Sequence, residues 1–79
     1  MDHAEEERRV RLLRTTVDLL LRIIAVRPCL TRVGARQMLD EARGLALRLF
    51  PDKGEAFDLI YAPRFERAIR ERFGAGGEN

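Results

Sequence analysis

The sequence predicts an all-α fold: a small up-down-up three-helix bundle with the third helix kinked or broken at Pro63, three to four helices in all. Three observations predict it. Large apolar residues recur three and four apart, the spacing that puts side chains on one face of a helix. Pro28, Pro51 and Pro63 cut that pattern into pieces of helical length. Finally, 79 residues that are 46% hydrophobic and 35% charged suit one globular domain near the lower limit of independent folding. The expected domain spans residues 1–74, with 75–79 as a flexible C-terminal tail.

The first helix is expected from about Ala4 to Val26. Glu5, Glu6 and Glu7 occupy its first turn, where the positive end of the helix dipole favours acids. Glu5–Arg9, Glu7–Arg11 and Asp18–Arg22 are acid-first pairs four apart, which support a helix. Arg27 precedes Pro28 and is biased away from helical geometry, so the helix stops there. On a helical projection Val10, Leu13, Val17, Leu20, Leu21 and Ile24 fill one arc of roughly 100°, and Leu12, Leu19, Ile23 and Val26 a second of roughly 60°. A helix lying on a core needs one stripe a little over ~100° wide. This helix calls for two neighbours, or for one neighbour and another protein.

After the connection Arg27–Leu30, Thr31 suits the N-cap of a second helix ending at Phe50. Ala35, Met38, Leu39, Ala42, Leu45, Ala46, Leu49 and Phe50 share one arc of roughly 140°. Alanines on that arc let another helix come close. Pro51 ends the segment. Asp52 and Glu55 then have the spacing of a capping box and predict the start of the next helix.

In the last third, Phe57, Tyr61, Phe65, Ile69 and Phe73 are each four apart. A straight helix would spread them over about 160°. Pro63 removes a hydrogen bond and crowds the carbonyl of Leu59, which costs about 3 kcal/mol in a helix interior. A break at Ala62–Pro63 resolves both conflicts. A short helix carries Phe57, Ile60 and Tyr61; the next carries Phe65, Ala68, Ile69 and Phe73. Gly74 is placed to end it with a left-handed cap.

Chemistry is thin. Fifteen cations, all arginine except Lys53, oppose 13 acids for a net charge of +2. The chain is arginine-rich without being strongly basic. Cys29 is the single cysteine, so no intramolecular disulfide and no zinc quartet are expected. The acidic opening "MDHAEEERR" is unlike a signal peptide, and "VDLLLRIIAV" is too short and too charged to span a bilayer. A cytoplasmic location is the expectation. His3 and Cys29 are the groups most reactive near neutral pH, but His3 lies at a terminus and Cys29 reads as an inert thiol in a tight connection. No Ser–His–Asp set, HExxH, CxxC or glycine-rich phosphate loop occurs. No catalytic residue, metal ligand or cofactor is expected, and the chain reads as a non-enzyme.

The function expected is a helical protein–protein interaction module. The expected interface is Val10, Leu13, Val17, Leu20, Leu21 and Ile24, and the expected partner is a second copy as a homodimer, or another helical protein. The rival is a small nucleic-acid-binding regulator. Arg64, Arg67, Arg70 and Arg72 would meet phosphates, and Tyr61 or Phe65 would stack on a base. Glu66 and Glu71 already neutralise much of that stripe. A membrane-surface role for the first helix is weakened by Glu7 and Asp18 on its polar face. Tyr61 beside Pro63 reads first as a core ring with its hydroxyl at the edge, and second as the wall of a ligand groove.

Overall fold

The computed structural model describes residues 2–74, so the tail expected at 75–79 lies outside the described residues. Four α-helices and no strand occur among them: α1 His3–Val26, α2 Arg32–Leu49, α3 Gly54–Ile60 and α4 Ala62–Phe73. α1 begins slightly earlier than its periodicity suggests because Asp2 caps it, its carboxylate accepting from the Glu5 N–H at 3.0 Å. At 1.5 Å per residue α1 is roughly 36 Å long. It is the spine of a body 46 Å in its longest dimension.

Thr31 caps α2 as expected, its hydroxyl accepting from the Gly34 N–H at 3.0 Å. Three side-chain bonds fix the up-down-up order. Near the start of α1, Arg9 donates to the Leu49 carbonyl at the end of α2 (3.3 Å), so those helices run antiparallel. α4 runs parallel to α1, with Arg64 donating to Asp18 at 3.3 Å and Arg72 to the Ile24 carbonyl at 2.9 Å.

The capping box at Asp52 does not form. Phe50 to Lys53 close a turn through the Lys53 N–H and the Phe50 carbonyl (3.0 Å), which moves the helix start to Gly54 and leaves Lys53 at the cap with no side-chain bond. Gly54 sits close against α2: a Cβ there would lie 3.0 Å from Cδ2 of Leu47, which would have to shift slightly to admit it.

The third helix is broken, with Tyr61 as the junction and Pro63 in the first turn of α4. There the missing N–H has no helical partner to lose. The four-apart set stays on the core side across the bend. Phe57, Phe65 and Ile69 are buried, while Tyr61 and Phe73 are half-buried against them. Ile60 departs from expectation and is 60% exposed. Its helix is only seven residues long and its backbone makes no close approach to α1, which leaves Ile60 bordering an open groove. Gly74 ends α4 with φ 96°, a value that favours glycine, but its ψ of 164° is extended and not the left-handed helical cap expected.

The core joins Leu13, Val17 and Ile24 of α1 to Ala35, Leu39, Ala42 and Ala46 of α2, and to Phe57, Phe65 and Ile69. This corrects the expected interface. Leu13, Val17 and Ile24 are enclosed by their own chain, and Leu20 and Leu21 are half-buried against the same core. The wider arc of α1 is the bundle's own packing face.

Candidate interaction surface

With its broad arc enclosed, α1 still displays the narrower one. Leu12 is 50% exposed, Leu19 51% and Val26 68%. Ile23 and Thr16 are half-buried between them. The order Leu12, Thr16, Leu19, Ile23, Val26 advances by four, three, four and three residues, the a/d rhythm of a coiled-coil seam. Such a strip drifts by only about 20° per heptad around a straight helix. One outer flank carries Arg8, Thr15 and Arg22, all exposed. The strip is therefore long, apolar and nearly straight, with a polar margin.

Leu12, Leu19, Ile23 and Val26 are the second arc of the sequence, whereas the expected interface is the first. Spacing offered a way to tell the two apart. The first arc has the width an ordinary core-facing helix needs, whereas the second has the width of a seam between two helices.

A second apolar opening lies at the other end of α1. Because α3 does not reach α1, Val10 and Leu13 face Phe50, Phe57, Ile60 and Tyr61 across an open groove of about 210 Å³, with Glu6 and Lys53 also lining it. Val10, the remaining member of the expected interface, thus borders a groove and is half-buried. Tyr61 packs against the core and lines this groove.

The arginine stripe is largely occupied within the chain. Arg64 pairs with Asp18, and Arg72 holds the Ile24 carbonyl and lies 5.3 Å from the centre of the Phe73 ring. Arg67 and Arg70 are exposed, and Arg70 lies near enough to Glu66 to help lower its pKa. Phe65, one of the rings offered for base stacking, is fully buried. Of the four cations, two are fastening α4 to α1.

Cys29 is exposed and adopts φ 64°, a left-handed conformation uncommon for a residue with a side chain, at the corner after Pro28. No three His, Cys, Asp or Glu side chains converge among the described residues, and no described helix is long and apolar enough to cross a membrane. Set beside known proteins, the chain matches no family model, no curated protein and no solved structure, so the reading of its surface rests on its own residues.

Proposed function

We propose that this protein is a non-enzymatic helical interaction module that self-associates along α1, through Leu12, Leu19, Ile23 and Val26. One observation carries the reading. After the bundle has packed its core, these aliphatic side chains remain outward on one face of the longest helix, in seam spacing. Fully burying an aliphatic side chain of this size is worth about 1.5–3 kcal/mol. Leu12, Leu19 and Val26 are half to two-thirds exposed and Ile23 is half-buried, so each contributes a fraction of that. Two copies together supply eight such side chains, a gain set against the entropy of association. A two-fold dimer is the commonest arrangement for such a surface.

The nucleic-acid reading has less behind it, since Arg64 and Arg72 are already engaged and Phe65 cannot stack on a base from inside the core.

Light scattering across a dilution series tests the proposal. The wild-type chain should approach twice its 9.1 kDa monomer mass as concentration rises. Leu19→Glu should stay monomeric and keep its helical circular dichroism, because Leu19 lies outside the core. A wild-type chain that is monomeric throughout, or a Leu19→Glu variant that still doubles its mass, rules the proposal out.

A further inference from the structure

The cations are gathered at one end of the elongated body. α1 and α4 finish there and α2 begins there, joined by the bonds of Arg72 to the Ile24 carbonyl and of Arg32 to the carbonyls of Phe73 and Gly74. From the Arg36–Glu66 pair to that tip, α1 and its corner contribute Arg22 and Arg27, and α2 contributes Arg32 and Arg36. α4 adds Arg67, Arg70 and Arg72, with Glu66 and Glu71. Seven arginines therefore face two acids, whereas the other described residues hold ten acids and eight cations. No single stretch of sequence carries the whole excess, since three helices supply it.

Little of this charge is neutralised. Among the described residues Arg22, Arg27 and Arg67 form no ion pair. Arg32 and Arg72 bond to neutral carbonyls and keep their full charge. The tip inside this collar is apolar: Val26 and Val33 are 68% and 67% exposed, and Pro28 is exposed at the corner between them.

We propose that this end of the bundle docks on an anionic phospholipid surface. Val26, Pro28 and Val33 enter the boundary between headgroups and acyl chains, and the surrounding arginines reach the lipid phosphates. The charge of the collar complements such a surface, and the apolar tip suits the medium beneath it.

The placement of the arginines favours a bilayer over a nucleic acid. Arg22 is two residues from buried Ile24, and Arg67 is two residues from buried Phe65 and Ile69. Two residues are about 200° of helix, so both side chains point away from the core, and they do so from different helices. A sheet of headgroups can meet a collar on every side at once. A phosphate backbone would take cations along one side and leave the valines against phosphate. The acids that weaken a membrane role along the length of α1 stand away from this end: Glu7 lies near the start of the helix, and Asp18 is paired with Arg64. The surface also goes beyond the self-association reading. Val26 closes the strip on α1, whereas Pro28, Val33 and the arginines of α4 lie off it.

Vesicle flotation tests the proposal. The probes are vesicles of equal parts phosphatidylcholine and phosphatidylglycerol, vesicles of phosphatidylcholine alone, and a duplex DNA oligonucleotide. The full chain should float with the anionic vesicles alone, and should release as salt rises from about 0.05 M to about 0.5 M. An arginine beside an anionic surface strengthens binding about fivefold, so Arg22→Ala and Arg27→Ala should each weaken it by that factor. Arg11→Ala and Arg14→Ala remove the same charge beyond screening distance of the tip and should change binding less than about twofold. All four side chains are exposed, and circular dichroism checks that the variants stay folded. A nitrobenzoxadiazole fluorophore on Cys29, exposed at the corner, should shift to the blue when the chain binds.

Absence of binding to the anionic vesicles at low salt overturns the proposal. Equal losses from both pairs of substitutions, or an unshifted fluorophore on bound protein, overturn it too. Binding of the oligonucleotide without binding of vesicles, weakened by Arg22→Ala and Arg27→Ala, makes this end a nucleic-acid surface and overturns it as well.

Discussion

The guanidinium of Arg43 and the carboxylate of Asp58 meet through two hydrogen bonds, at 2.7 and 3.0 Å, and tie α2 to α3 across the turn between them. Arg36 and Glu66 repeat the arrangement between α2 and α4, with two bonds of 3.1 Å. Hydrogen bonding from Arg43 holds the Asp58 carboxyl below its ordinary range, and Arg36 does the same for Glu66. Both pairs are solvent-exposed, so each contributes modestly to stability.

Their acid response follows from the sign of the shift. A carboxylate that is harder to protonate when folded stabilises the fold above its unfolded pKa, about 4 for Asp and Glu. That contribution disappears as pH falls through the lower folded value. The melting temperature should therefore hold steady from neutral pH to about 5 and decline below about 4. Thermal melts followed by circular dichroism check this, with Asp58→Asn and Glu66→Gln reducing the slope of the acid limb. An acid limb equally steep in the double variant would place its cause in other carboxylates.

The core should respond much more strongly. Phe65 is fully buried where α4 meets the rest of the bundle, and Phe65→Ala should cost about 3–5 kcal/mol. A domain this small has little stability beyond that. Urea titration should find the variant largely unfolded without denaturant, whereas substitutions at exposed Leu59 should leave the midpoint almost unchanged.

Arg32 fastens the end of α4. It donates to the carbonyls of Phe73 and Gly74, at 2.8 and 3.0 Å, and its guanidinium lies 5.9 Å from the centre of the Phe73 ring. Arg32→Ala should remove about 1.5–3 kcal/mol, the range for hydrogen bonds to a charged donor. Faster amide exchange should be concentrated at the end of α4. Arg32→Lys should recover only part of the protection, since an ammonium lacks the planar fork.

Much of this fold was legible in the sequence. Thr31, Pro51 and Pro63 mark real boundaries, and the set from Phe57 to Phe73 lies on the core side around a real bend. What failed was local chemistry set against tertiary packing. Asp52 and Glu55 have the right spacing for a capping box, but the turn from Phe50 to Lys53 starts the helix later. Ile60 has the character of a core residue, but an open groove separates it from α1. On α1 the sequence shows two apolar arcs, and the interface expected on the wider one lies on the face that packs the bundle's own core. Which arc is internal depends on where α2 and α4 dock, and that is set by contacts some 40 to 50 residues away, such as Arg9 to Leu49 and Arg72 to Ile24.

The shortness of α3 has a mechanical consequence. Phe57 is its one buried side chain, Asp58 its one inter-helix ion pair, and its backbone makes no close approach to α1. With one buried side chain and one exposed ion pair to hold it, α3 should open at a lower free energy than whole-molecule unfolding requires, and its amides should exchange faster than those of α2.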